Sequence, residues 1–321
     1  MIPVVDLQSS TATAELVEAL SSIGFVELVG HGVDADVVAA QRVAADAFFA
    51  LPEDVKRRHV HPEPLANRGF RAKGSEALRY SLGEASPPDL FESFNTGPDH
   101  VEGGWTDLVQ PTPWPDEVPQ LRTTTLALRT ELQSLSHRLD GLIGTAIGID
   151  GLAARSTTGP DMLATIDYRP GPDGAEASVP GQQRMGAHSD YTTFTILLPD
   201  PVPGLQIVGT GGDWVDVVPQ PGSALVNVGD LLAMWTNDAW PSTLHRVIPM
   251  SAGAAAQRRS VAYFHYPDTD VVVQPLARFC DAQRPARYEP VSVEAHVRGK
   301  LSAPKVQEAA TGASTVADRG F

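Results

Sequence analysis

The sequence predicts a mainly β protein with flanking helices, built on a double-sheet jelly roll of the double-stranded β-helix, cupin-like kind. Two observations predict it. From residue 187 to about 275, short strand-like runs recur at regular spacing with turn signals between them: 193–198, Leu205–Val208, Trp214–Val217, Ala224–Val228, His245–Val247 and 260–266. Such spacing marks an all-β sandwich or barrel, and a two-sheet jelly roll closes a set of strands of this kind. Ahead of them, 121–147 carries Leu126, Leu128, Leu132, Leu135, Leu139, Leu142 and Ile143 on one broad helical stripe. A helix of that pattern suits the outside of a sheet, with its Arg and Glu residues on the wet face.

Taken in order, 2–7 reads as a short strand with Pro3 near an edge, and 12–22 as a helix with Leu16 and Leu20 at helical spacing. Residues 24–28 form a second strand. His31 and Gly32 then turn the chain into an alanine-rich helix over 35–51, with Val37, Val38, Val43, Phe48 and Phe49 as its expected buried stripe. The run Lys56, Arg57, Arg58, His59 and His61 reads as a solvated face. Residues 67–115 read as short, irregular, aromatic pieces, and loops of that length tend to be functional. Strand character resumes over 163–169, and 291–301 can form a helix over the mouth of the barrel. The chain divides into an N-terminal mixed α/β region (1–115), a buttressing helix (116–160), the jelly-roll core (161–285) and a C-terminal helix and tail (286–321).

The 321 residues are 42% hydrophobic and 20% charged, the balance of a soluble globular protein. A net charge of −15 with no basic tract argues against nucleic acid or an anionic membrane surface as partner. The one cysteine, Cys280, excludes an intrachain disulfide and multi-thiolate metal sites. No signal peptide or apolar run of ~18 residues is apparent, so cytoplasmic residence is expected. A monomer is slightly favoured.

The chemistry concentrates at 184–198. His188 and Asp190, two apart where a loop enters a strand, can offer an imidazole and a carboxylate to one point. His245 in the run Ser242-Thr243-Leu244-His245-Arg246-Val247 is the candidate third ligand. Two histidines and one carboxylate with open positions make the facial triad of non-haem Fe(II) oxygenases. Arg258 and Ser260, again two apart, can hold the far carboxylate of a bidentate co-substrate.

This ordered set resembles the isopenicillin N synthase-like branch of the Fe(II)/2-oxoglutarate dioxygenases. Supporting matches run along the chain, among them Asn67-Arg68-Gly69-Phe70, Pro203-Gly204-Leu205-Gln206-Ile207 and Asn227-Val228-Gly229-Asp230. The resemblance implies His188, Asp190 and His245 as Fe(II) ligands, with 2-oxoglutarate and O2 as co-substrates. Arg258 and Ser260 would bind the keto acid's C5 carboxylate, with Arg259 on the opposite face. It implies oxidative decarboxylation to succinate coupled to hydroxylation, desaturation or cyclisation of a small molecule. Arg79, Tyr80, Phe94 and Phe264 become substrate-pocket candidates. Asn227 and Asp230 read as shaping a turn.

One departure stands out. Where the family often has Asn-x-Tyr-Pro, this chain has Asp167-Tyr168-Arg169-Pro170. Either Tyr168 meets the co-substrate or Arg169 takes that place and reads an anion; adjacent residues on a strand face opposite ways, so both cannot point inward. Two other readings stand beside the dioxygenase: a keto-acid-independent oxidase of the isopenicillin N synthase kind, and a non-enzymatic ligand-binding barrel. The family spans plant and bacterial enzymes, and an Ala-, Val-, Asp- and Arg-rich composition favours bacterial specialised metabolism, including antibiotic biosynthesis.

Overall fold

Fourteen strands and six α-helices are described, in the order β1 (Val4–Asp6), α1 (Ala12–Ile23), β2 (Phe25–Val29), α2 (Ala35–Phe49), α3 (Glu53–Lys56), β3 (Gly69–Arg71), β4 (Glu92–Thr96) and α4 (Gln120–Ile147). There follow β5 (Met162–Asp167), β6 (Met185–His188), β7 (Phe194–Pro199), β8 (Leu205–Val208), β9 (Trp214–Val217), β10 (Ala224–Val228), α5 (Asp230–Trp235), β11 (His245–Val247), β12 (Arg259–His265), β13 (Val272–Val273), β14 (Val291–Ser292) and α6 (Val293–Ser302). This computed structural model describes residues 2–79, 86–101, 104, 106–169, 179–249 and 257–302. No described helix is long and apolar enough to cross a membrane.

From β5 to β12 the chain passes back and forth between two sheets, with β8 and β9 paired as a hairpin in the smaller one, as in a jelly roll. An eight-stranded sheet has the order β1-β2-β10-β7-β12-β5-β4-β3, and a four-stranded sheet the order β6-β11-β8-β9. The N-terminal region therefore supplies both edges of the large sheet, β1-β2 on one side and β4-β3 on the other. Alternation along each strand separates two cores. On β12, Ala262 joins Ala164, Ile166 and Tyr168 of the β5 segment and Leu205, Ile207 and Val247 of the small sheet in a layer between the sheets. Val261 and Tyr263 point the other way, onto Leu128, Leu132, Leu135, Leu139, Ile143 and Ile147 of α4. These leucine and isoleucine side chains are almost wholly buried, and each contributes roughly 2 kcal/mol of hydrophobic burial as an upper estimate.

Local chemistry explains the element ends. Asp34 caps α2 by accepting from the amide of Asp36 at 2.8 Å. Gly24 ends α1 at φ +68°, and a Cβ there would lie 2.1 Å from the carbonyl oxygen of Pro241, so glycine is required twice over.

Several expectations are corrected. Residues 67–115 are not merely irregular, because β3 and β4 pair in register and extend the large sheet beyond β5. Every residue of β4 is buried, so no polar–apolar alternation betrays it. Lys56 is not solvated: it lies buried and donates to Glu92 at 2.6 Å. Val43 of α2 is 70% exposed and so stands outside the buried stripe of its helix. On α4, Arg129 is buried rather than wet, and Asp140 is buried in the same helix. Both belong to a charged cluster under the sheet, where His265 bridges Asp140 at 2.8 Å and Asp161 at 3.1 Å, and Tyr263 donates to Asp161 at 2.6 Å.

Candidate active site

His188 ends β6 and His245 begins β11, and the register of the small sheet sets them directly opposite each other. Their rings lie 4.2 Å apart, centre to centre. In each imidazole Nδ1 meets a backbone carbonyl, Gly186 O at 2.7 Å for His188 and Thr243 O at 3.2 Å for His245. Donation from Nδ1 leaves the Nε2 lone pairs free, and both face Oδ1 of Asp190, at 3.7 and 3.8 Å. The three ligand atoms lie within 4.8 Å of one another, and among the described residues no other group of His, Cys, Asp and Glu gathers in this way. Burial, reinforced by the neighbouring His245, depresses the pKa of His188 to about 4. Burial opposes the charge of Asp190, but the two imidazoles and hydrogen bonds from Thr195 and Asn227 hold its carboxyl below the usual range. Neutral imidazole and ionised carboxylate are the forms a divalent cation binds.

The loop carrying Asp190 is held from behind. Asn227 Nδ2 donates to Asp190 Oδ2 at 2.8 Å. The first amides of α5 are free of intrahelical partners, and those of Asp230 and Leu231 donate to the carbonyls of Asp190 and Thr192 at 2.7 and 3.0 Å. Gly229 permits this approach, since a Cβ there would meet Thr192 O at 2.3 Å. Asp230 thus shapes the turn through its backbone amide, as expected, while Asn227 in addition reaches the Asp190 carboxylate with its side chain. Asp230 also bonds Ser242 at 2.8 Å and Lys300 of α6 at 2.7 Å.

A cavity of about 220 Å³ opens from this cluster between the sheets. At one end lie Arg258 and Ser260, each 1% exposed. Arg258 Nε and Nη1 and Ser260 Oγ have no hydrogen-bond partner. Leaving such groups unpaired in a protein interior costs about 1–3 kcal/mol each, more when charged, unless a ligand completes them. Ile166 lies beside Ser260 across β5 and β12, and Leu197, Leu205 and Val247 line the same cavity, so it suits an anion on an apolar stem. Tyr168 faces inward with its ring 4.8 Å from the guanidinium carbon of Arg258, while its hydroxyl is 3.8 Å from Met185 Sδ.

Of the two residues left open, Tyr168 is the one whose side chain faces the cavity. Arg169 points to the other face, 3.0 Å from Asp167 and 3.9 Å from Asp46, which corrects its expected place in the substrate pocket. Phe94 is corrected likewise: it packs against Phe48, Phe70 and Trp114 beneath α2, behind the sheet. Its neighbours Ser93 and Asn95 are the β4 residues that line the cavity, and Phe91, just before the strand, lines it too. Phe264 lines it as well. Arg79 packs its backbone on Gly186 and is not among the lining residues. Tyr80 lies outside the described residues. Arg259 faces outward to Asp46 and Asp200.

Two histidines and a carboxylate at the rim of a jelly roll, with a buried arginine–serine pair deeper in, define a non-haem metal oxygenase. Residues 159–267 match the 2OG-Fe(II) oxygenase superfamily, and residues 2–117 match the family described as non-haem dioxygenase in morphine synthesis N-terminal. The chain is 31% identical over 291 residues to validamycin A dioxygenase of Streptomyces hygroscopicus subsp. limoneus, covering 86% of this chain and 80% of that one. It is 32% identical to the 2-oxoglutarate-Fe(II) type oxidoreductase ppzD of Metarhizium majus, covering 89% and 88%. Among solved structures, a full-length Neurospora crassa protein in complex with alpha-KG superposes with a TM-score of 0.82 at 27% identity, covering 94% of this chain and 96% of that one. JOX2 in complex with 2OG, Fe and JA gives 0.77 at 26% identity, covering 95% and 86%. The chain belongs to the non-haem Fe(II)/2-oxoglutarate-dependent dioxygenase family, and it is an oxidoreductase that uses Fe(II), 2-oxoglutarate and O2 on small molecules.

Proposed function

We propose that His188, Asp190 and His245 hold the iron and that Arg258 and Ser260 hold the far carboxylate of 2-oxoglutarate, so that a small molecule is hydroxylated, desaturated or cyclised in the remaining cavity. The observation that carries this assignment is the buried, unpartnered guanidinium edge and hydroxyl at one end of the cavity that holds the His–Asp–His cluster. Bound Fe(II) supplies open coordination positions and the redox chemistry that couples keto-acid decarboxylation to substrate oxidation. The chain's own groups do the rest. Backbone carbonyls fix both imidazoles, Asn227 fixes Asp190, and the planar guanidinium of Arg258 offers two parallel donors to a carboxylate. Leucine and valine side chains in the lining disfavour water, and Lys300 and Leu301 of α6 line the cavity too.

The name of one relative gives validamycin A as what it acts on, and the Neurospora crassa protein has also been solved with thymine; both support a small-molecule substrate here. The test is stoichiometry. Succinate should form only with Fe(II), 2-oxoglutarate and O2 together, and should vanish in Asp190→Ala. Oxygen uptake without 2-oxoglutarate would instead favour the keto-acid-independent oxidase.

A further inference from the structure

The β4 side of the cavity, two strands over from Ser260, has a polar wall. Cross-strand register builds it in rows: Ser260, Ile166 and Ser93 lie side by side across β12, β5 and β4, and Ala262, Ala164 and Asn95 form the next row. Two alanines in succession leave floor space, and Asn95 stands at its edge. Asn67, in the left-handed conformation at φ +48° ahead of β3, reaches the same edge.

The amides of this wall are orientated by Arg71. A guanidinium only donates, so Arg71 Nη2, 2.7 Å from Asn67, fixes Oδ1 as the atom facing it. The same Oδ1 accepts from Asn95 Nδ2 at 3.0 Å, and Asn95 Oδ1 in turn accepts from Ser93 Oγ at 3.0 Å. Asn67 Oδ1 is then saturated, while its Nδ2 has only the weakly accepting Met162 Sδ at 3.1 Å. One N–H and one lone pair of Asn95 and the lone pairs of Ser93 stay uncommitted. The wall therefore presents donors and acceptors side by side.

Its charges are already matched. Glu76 lies 3.6 Å from Arg71, and Lys300 is bonded to Asp230. No described cation on this side is left to take an anion.

We infer that Asn67, Ser93 and Asn95 are the substrate-recognition edge and that they select an uncharged molecule carrying a hydroxyl or carbonyl oxygen beside a hydrogen-bond donor, such as a cyclic amide or a vicinal diol. This inference rests on the proposal that the Arg258 end takes 2-oxoglutarate. Leu78, Phe91, Phe264 and Leu301 also line the cavity and offer apolar contact to the rest of the ligand.

The test uses the full chain loaded with Zn(II) and 2-oxoglutarate, and four six-membered-ring probes at millimolar concentration: δ-valerolactam, trans-cyclohexane-1,2-diol, cyclohexanecarboxylate and piperidinium. Binding is read by saturation-transfer NMR. The lactam or the diol should bind about tenfold more tightly than the carboxylate, and which of the two does so separates amide from polyol substrates. Asn95→Leu should remove that advantage. Asn95→Asp, which swaps a donor for negative charge, should shift preference toward piperidinium, a reversal that loss of packing alone would not produce. A carboxylate that binds best, a neutral-to-anion ratio unchanged in both variants, or no probe binding to protein that has bound 2-oxoglutarate would overturn the inference. Failure of wild type to bind 2-oxoglutarate would strike the function proposal instead.

Discussion

Asn227 Nδ2 lies 2.8 Å from Oδ2 of Asp190, on the side of the carboxylate opposite to the atom that faces His188 and His245. One oxygen is thus engaged by a fixed donor and the other left for the metal. Removing such a partner typically costs 10–100-fold in metal affinity. Asn227→Ala should weaken Fe(II) or Zn(II) binding by about that factor, measured by competition with a chelator, without unfolding the protein. Unchanged affinity would show that the carboxylate needs no such support.

Tyr168 contributes a ring to Arg258 and a hydroxyl with only a distant sulfur partner. Tyr168→Phe should therefore keep 2-oxoglutarate affinity within about threefold. Tyr168→Ala should lose more, since a cation–π contact of a desolvated guanidinium contributes about 1–2 kcal/mol. A large loss in the Phe variant would mean that the hydroxyl itself meets the co-substrate.

Phe94 belongs to the cluster with Phe48 and Phe70. Phe94→Ala should lower stability by about 3–5 kcal/mol, as large-to-small changes at buried phenylalanines do. Chemical denaturation would show this, with 2-oxoglutarate affinity unchanged. A specific loss of ligand affinity without destabilisation would place it back at the pocket.

His265 gives a pH signature. Burial opposes its charge, yet Asp161 and Asp140 outweigh burial and raise its pKa to about 10. The folded state then holds a proton that the unfolded chain releases near pH 6.5, so this stabilisation is complete below about 6.5 and is lost as pH rises through 10. Denaturation midpoints should fall across that window. His265→Leu should flatten the trend and cost about 3–5 kcal/mol at neutral pH, because two buried carboxylates lose their partner. A wild-type midpoint that does not fall between pH 6.5 and 10 would refute the charged histidine.

Much of the site was legible because its groups are close in sequence and chemically distinctive. His188 with Asp190 and Arg258 with Ser260 are each two residues apart, and β8 to β11 are bounded by glycine, proline and polar turns. What escaped depends on partners far along the chain. Arg129 and Asp140 look like solvent-facing helix residues until Asp161 and His265 are brought beneath them. Asn67, Ser93 and Asn95 look like loop formers, and only the pairing of β4 with β5 turns two of them toward the cavity and sends Phe94 away. A strand covered on both faces carries no alternation, so its phase could not be read from β4 alone.

The most direct test of the central claim is anaerobic titration of the Fe(II)-loaded protein with 2-oxoglutarate, following the weak visible charge-transfer absorption of a chelated keto acid. Wild type should develop the band. In Arg258→Ala half-saturation should shift at least about 30-fold, the equivalent of roughly 2 kcal/mol for one partner of a buried charge pair. Iron-loaded wild type that shows no band, or a variant that titrates identically, would contradict the assignment of this cavity end to 2-oxoglutarate.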